Sequence, residues 1–141
     1  MDLKDLSTKV LLAKLMCVGL AVFDTVLGGA SLLAPRQVAR AFLPDVEPED
    51  VSLLRRTATI WLFFIPVQIW AALRTENPAA LRAVSILRLQ EVPADPTWLA
   101  TGKGFGLFGK FGLVFAPLFN LVGGLFLWKV ARDLEAEKRE A

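Results

Sequence analysis

The chain of 141 residues contains no histidine and no tyrosine, and it has a single cysteine, Cys17. Without histidine, no imidazole is present to act as a general base or to ligate zinc or haem. One thiol cannot form an intramolecular disulfide or a multi-thiolate metal site. The net charge of +2 is too small and too scattered to indicate nucleic-acid binding. We therefore assign no catalytic residue, no metal site, no cofactor and no nucleic-acid partner.

Apolar residues, in contrast, make up 55% of the sequence, and the mean hydropathy is +0.51. This composition is too apolar for a typical soluble domain. The charged residues are concentrated between long apolar runs, several of which reach the roughly 20 residues that a transmembrane helix needs. We predict an all-α integral membrane protein, a four-helix bundle forming one domain over 1–141. The predicted spans are 10–33, 55–74, 78–100 and 105–130, followed by a charged cytoplasmic tail, 131–141.

The first apolar run has a competing interpretation as a signal peptide, because Lys4, Lys9 and Lys14 form a basic start. The run continues to Leu33, which is too long for the apolar region of a signal peptide, and Asp24 interrupts it. These features favour a membrane span.

The segment 78–100 is ambiguous, because it is apolar enough to be buried but carries several polar residues. On a translocon scale each central Arg or Asp facing lipid would cost about 2.5 to 3.5 kcal/mol. The segment is therefore either a span enclosed by the other three or an amphipathic interfacial helix over 78–92, ended by Pro93 and Pro96. We favour the span, since an even number of spans returns the charged tail to the side of the N-terminus.

In the segment after the first span, the sequence predicts a short interfacial helix that begins at Pro35 and is ended by Pro44, with Arg36 and Arg40 on its polar side. Lys and Arg residues near the spans number eight on the side of both termini and five on the other. Because positive loops stay in the cytoplasm, we predict that both termini are cytoplasmic.

The most informative polar residues are Arg88, Glu91 and Asp95, whose spacings of three and four place them on one face of a helix. Asp24 lies deep in the first span and needs a partner on another helix. The candidate partners are Arg55, Arg56, Arg88 and Lys110. Asp24, Arg88, Glu91 and Asp95 are the candidate ligand-binding residues. The favoured interpretation of the charged set is structural, either an internal ion-pair network or the solvated face of an interfacial helix. Gln68 in the second span is predicted to hydrogen-bond between helices.

The run Gly104 to Lys110 matches the nucleotide-binding pattern GxGxxG, but it introduces a membrane span and has no preceding strand, so we reject that function. Small residues instead allow helices to approach closely in membranes. The predicted helix-packing residues are Gly106, Gly109, Gly112, Gly123 and Gly124.

The stretch from Leu27 to Pro35, the short helix after it and the Arg-bearing second span together resemble the layout of small four-helix bacterial membrane proteins of the DoxX-like type. The resemblance implies a four-helix fold in the bacterial inner membrane. Some members of that type are associated with quinone or thiosulfate oxidation or with redox partners. This chain lacks histidine and a CxxC motif, so no catalytic residue is carried over.

These features predict an accessory or interaction subunit that lies in the lipid bilayer and packs against a membrane-protein partner or a second copy. The alternative is binding or transport of a small lipid-soluble molecule, such as a lipid or a quinone-like compound, or of a proton, through the polar cluster. A membrane enzyme is the third hypothesis, and it would depend on these carboxylates.

Overall fold

A computed structural model describes residues 3–45 and 50–140, and every regular element in those ranges is a helix. The prediction of an all-α protein is thus confirmed. Three of the helices, α1, α3 and α6, are long and apolar enough to cross a membrane. The helices are α1 (Leu3–Leu33), α2 (Pro35–Phe42), α3 (Ser52–Leu73), α4 (Pro78–Glu91), α5 (Ala94–Thr101) and α6 (Leu107–Glu140).

The helices α1, α3, α4 and α6 run in alternating directions, and each packs mainly against two of the others: α1 with α3, α3 with α4, α4 with α6 and α6 with α1. Lys9 near the start of α1 forms an ion pair of 3.3 Å with Asp133 near the end of α6. We call this the terminal end of the molecule. Ala72 of α3 and Leu81 of α4 belong to the same apolar core as the residues around Lys9. The short helices α2 and α5 lie at the opposite end.

The predicted third span, 78–100, is divided into two helices in the structure. Helix α4 ends at Glu91 and α5 begins at Ala94, with Pro93 at its N-cap and Pro96 in its first turn. Proline is tolerated at the start of a helix but interrupts its interior, so this pair of prolines separates the two helices. The 14 residues of α4 extend about 21 Å, less than the roughly 30 Å of a hydrocarbon core.

Helix α4 nevertheless packs one face into the core. Its bounds are close to those of the amphipathic alternative, and its other face is exposed. Leu81, Val84, Ser85 and Arg88 are all buried against the neighbouring helices. Its start is fixed by Asn77, whose side-chain oxygen accepts a hydrogen bond of 3.0 Å from the Ala79 amide. The start of α3 has a similar contact, because the Asp50 carboxylate accepts hydrogen bonds from the amide and hydroxyl of Ser52, which lower the pKa of Asp50.

The short helix predicted after the first span is confirmed: α2 begins at Pro35 and ends at Phe42. It lies against the start of α6, where the Gly106 amide donates a 3.0 Å hydrogen bond to the Phe42 carbonyl. The Phe42 ring also contacts Phe108 edge-on, with 5.4 Å between the ring centroids. These contacts hold α2 across the opposite end of the molecule.

The segment predicted as a charged tail, 131–141, continues α6 as a helix as far as Glu140. Ala131 and Leu134 are buried in the core at the terminal end. Two acidic side chains of this segment pair with other helices: Asp133 with Lys9, and Glu135 with Arg82 at 2.6 Å. This part of the chain is therefore packed against the rest of the molecule.

Candidate functional site

Polar side chains from three helices meet in the interior, and we call them the central polar cluster: Asp24, Trp61, Gln68, Arg88 and Glu91. Asp24 is 1% exposed, Gln68 is fully buried and Arg88 is 2% exposed. Buried charges are costly unless they are paired and hydrogen-bonded. The contacts within the cluster satisfy most of that requirement.

Arg88 is the centre of this network. Its Nη2 donates to Asp24 Oδ2, and Gln68 Nε2 donates to the same oxygen at 2.6 Å. Arg88 Nη1 donates to Glu91 Oε2 at 3.2 Å, while Trp61 Nε1 donates to Glu91 Oε1 at 3.0 Å. The cluster thus contains two carboxylates and one guanidinium group, and it connects α1, α3 and α4.

Helical spacing explains how α3 and α4 supply these groups. Phe64 and Gln68 follow Trp61 by three and seven residues, so the three side chains share one face of α3. Arg88 and Glu91 are one turn apart on the facing side of α4. The Arg88 guanidinium carbon also lies 5.6 Å from the centre of the Phe64 ring, a cation–π contact that covers the ion pair.

The structure brings together three of the four predicted ligand residues, namely Asp24, Arg88 and Glu91. Asp95 lies on α5, beyond the proline break; no described residue forms a hydrogen bond or ion pair with its carboxylate, although its charge acts on Glu91. Of the four candidate partners for Asp24, Arg88 is the one that contacts it. The others, Arg55, Arg56 and Lys110, are exposed.

Two members of the central polar cluster are not among the residues predicted to bind a ligand. Gln68 donates a hydrogen bond between helices, as a polar residue in the middle of a span suggests. Trp61 is not among the polar residues predicted from the sequence, although its position seven residues before Gln68 places both side chains on the same helix face. The helical spacing between the Trp61 indole N–H and the Gln68 amide is the signal in the sequence that indicates this contact.

The central polar cluster is largely closed to the outside. Two surface pockets of about 460 Å³ each are lined by other residues, one by Arg36, Arg40 and Arg55 and the other by Arg82, Arg132 and Arg139. Glu91 is the most accessible charged member, with 20% of its side chain exposed. Arg88 Nε and Gln68 Oε1 are buried without a hydrogen-bond partner in the described structure. The hydrogen bonds of the cluster therefore join α1, α3 and α4, and Glu91 is its charged member nearest the surface.

The predicted helix-packing glycines lie at contacts within the chain. A Cβ atom on Gly109 would collide with the Phe42 carbonyl oxygen, and one on Gly106 would lie 2.9 Å from Pro44. Gly124 permits α4 to approach α6, since a Cβ there would lie 2.8 Å from Leu89. The remaining two face side chains of the same chain: Gly112 faces Phe42 and Gly123 faces Met16.

Within residues 3–45 and 50–140, no group of three His, Cys, Asp or Glu side chains could hold a metal ion. Comparison with family models, curated proteins and solved structures finds no match for this chain. The resemblance to the DoxX-like layout therefore remains a prediction, and any function has to be argued from the geometry described above.

Proposed function

We propose that the chain is a polytopic protein of the bacterial inner membrane, a four-helix bundle that acts as an accessory subunit by packing against partner helices or a second copy. The observation that supports this proposal is the separation of buried charged groups from exposed apolar side chains. The charges of the central polar cluster bind one another inside the molecule, whereas the outward faces of α1, α3 and α6 carry exposed large apolar side chains.

Insertion into the bilayer is supported by this division. A buried ion pair facing inward and an apolar surface facing outward are what lipid requires of a helical membrane protein. The enclosure of α4 by α3 and α6 allows a segment with two arginines to lie within the bundle. The excess of Lys and Arg at the terminal end supports cytoplasmic termini.

The surface that we propose for packing is the aromatic ridge of α6, defined by Phe111, Phe115 and Phe119. Successive rings are stacked, with centroid separations of 5.6 and 5.9 Å, and all three rings are exposed. Stacked rings at i and i+4 form a rigid surface, so the ridge itself loses little side-chain entropy when a partner helix packs on it. The glycines, by comparison, are already covered by α1, α2 and α4.

The test is to purify the protein in a mild detergent and to determine its mass and bound proteins by native mass spectrometry. We expect a stoichiometric partner or a second copy. Changing all three ridge residues to leucine should remove that species and leave the helical content unchanged. The matched control is Phe23→Leu, on the exposed face of α1, which should keep the species. A strictly monomeric wild-type protein without partners would contradict the proposal.

A second candidate function is the binding or transfer of a proton, or of a polar group of a lipid-soluble molecule, at Glu91. It is favoured by one observation: the central polar cluster has one more carboxylate than it has cations, and Glu91 is its accessible member. Glu91→Gln retains an oxygen for the Trp61 donor, so the fold should persist while transfer stops.

Proton flux into liposomes containing the protein, followed with a pH-sensitive dye, tests this candidate. Glu76→Gln is the matched control, because it makes the same change at an exposed position away from the central polar cluster. If the Glu91→Gln protein and the wild-type protein conduct protons equally, or if neither does, the second candidate is rejected.

A further inference from the structure

A pocket of about 460 Å³ lies between α4 and α6 at the terminal end, and we call it the terminal pocket. Its polar lining comes from Arg82, Arg132, Glu135 and Arg139, and Trp128 supplies its aromatic wall. The α6 residues follow one another at intervals of three or four, so they form one continuous face of the helix. The charged part of α6 thus presents an organised surface towards α4.

The terminal pocket carries an excess of positive charge. It contains three guanidinium groups and one carboxylate, and that carboxylate, Glu135, already accepts a 2.6 Å bond from Arg82. Of the other acidic residues in this part of α6, Asp133 is paired with Lys9, and Glu137 and Glu140 do not line the pocket. Within the described structure, neither Arg132 nor Arg139 forms an ion pair. Two guanidinium groups are therefore available to an anion from outside the chain.

Arg82 is held in place as part of the pocket wall. Its guanidinium carbon lies 5.2 Å from the centre of the Trp128 ring, and its Nη2 is fixed by Glu135. Its Nε is buried and has no partner within residues 3–45 and 50–140. Arginine presents a planar set of donors that matches phosphate oxygens, and Arg82 uses only part of that set.

The position of the terminal pocket along the bundle points to a lipid as the source of the anion. Trp128 ends the apolar run of α6, and indole rings prefer the headgroup level of a membrane. One turn further into the bundle, exposed apolar side chains follow on both helices: Ile86 on α4 and Leu125 on α6. The pocket thus combines a cationic site at headgroup level with an apolar surface that acyl chains can cover.

We infer that the terminal pocket binds the phosphate of an anionic phospholipid, with Arg82, Arg132 and Arg139 as the cationic ligands and Trp128 against the glycerol region. Basic pockets between helices on the cytoplasmic side of a membrane recognise anionic headgroups in this way. The inference rests on the proposed insertion of the chain into the bilayer with cytoplasmic termini.

The experiment compares dioctanoyl phosphatidylglycerol with dioctanoyl phosphatidylcholine, each added to the full-length protein in detergent, with bound lipid counted by native mass spectrometry. We expect retention of the anionic lipid and not of the zwitterionic lipid. Arg132→Gln combined with Arg139→Gln should weaken retention by roughly thirtyfold, if each arginine contributes the usual increment for a basic residue at an anionic surface. The wild-type helical content should persist, since both side chains are exposed.

The matched control removes the same amount of charge from the pocket at the opposite end, by Arg36→Gln combined with Arg55→Gln. That double variant should bind as the wild-type protein does. Equal weakening by both double variants would show non-specific attraction and would overturn the inference. Displacement of the lipid by millimolar glycerol phosphate would also overturn it, because the phosphate alone would then be the ligand.

Extraction of membranes with alkaline carbonate separates this inference from the proposed function. A protein that stays in the membrane but does not distinguish the two lipids contradicts the lipid site and leaves the membrane proposal standing. A protein that is extracted by carbonate contradicts both.

Discussion

Replacing Arg88 by methionine should lower the free energy of unfolding by about 3 to 5 kcal/mol, the usual cost of removing one member of a buried ion pair. The structure gives the reason for this magnitude. Arg88 bonds to both Asp24 and Glu91, and its loss leaves the Asp24 carboxylate buried, 1% exposed, without a cation. The Gln68 donor remains, but a hydrogen bond between membrane helices contributes only about 0.6 kcal/mol on average.

The assay is unfolding of the purified protein in mixed micelles, with increasing sodium dodecyl sulfate and with helical content followed by circular dichroism. Arg56→Met is the matched control, because it makes the same change at an exposed position on α3. A surface substitution of this kind should alter the free energy of unfolding by less than about 0.5 kcal/mol.

Combining Arg88→Met with Asp24→Asn should recover most of the lost stability, since an asparagine oxygen can still accept the Gln68 hydrogen bond without carrying a charge. Neutral replacements of a complete buried ion pair are often tolerated. A single Arg88→Met variant within about 1 kcal/mol of wild type, a value typical of an exposed pair, would refute the structural role. A double variant less stable than the single one would refute the charge argument.

Two further predictions concern the contacts that position the helices. Gly109→Ala should cost about 1 to 3 kcal/mol, the range for overpacking, because its methyl group would collide with the Phe42 carbonyl; Gly19→Ala, which meets no atom within 4 Å, should not destabilise the protein in the same denaturation assay. Asn77→Ala should cost about 1 kcal/mol by removing the N-cap of α4; an unchanged melting temperature would contradict this role.

The long helices could be predicted from the sequence because apolar runs of sufficient length have few other uses. The helical face containing Arg88 and Glu91 was also predictable, since both lie on one uninterrupted helix. Asp95 forms none of the hydrogen bonds of the central polar cluster, because Pro93 interrupts the helix between Glu91 and Asp95. Periodicity is informative only within the element to which a residue belongs.

Hydropathy could not reveal the contacts between distant parts of the chain. The segment after Val130 was predicted as a tail because its average polarity is high. Two of its acidic residues, Asp133 and Glu135, are instead paired with Lys9 and Arg82, which are 124 and 53 positions away in the sequence. The glycine spacing likewise indicated a close approach without identifying its partner, which for Gly109 is the eight-residue helix α2.

The enclosure of α4 has a consequence for how the protein is made. A helix of 14 residues that carries Arg82 and Arg88 is a poor candidate for independent entry into lipid. The partner of Arg88 lies on α1, and the ring that covers it lies on α3, so both precede α4 during synthesis. In the proposed membrane location, we expect α4 to enter the bilayer only after those two helices are in place. Formation of the Asp24–Arg88 pair would then be a step in the biogenesis of the protein.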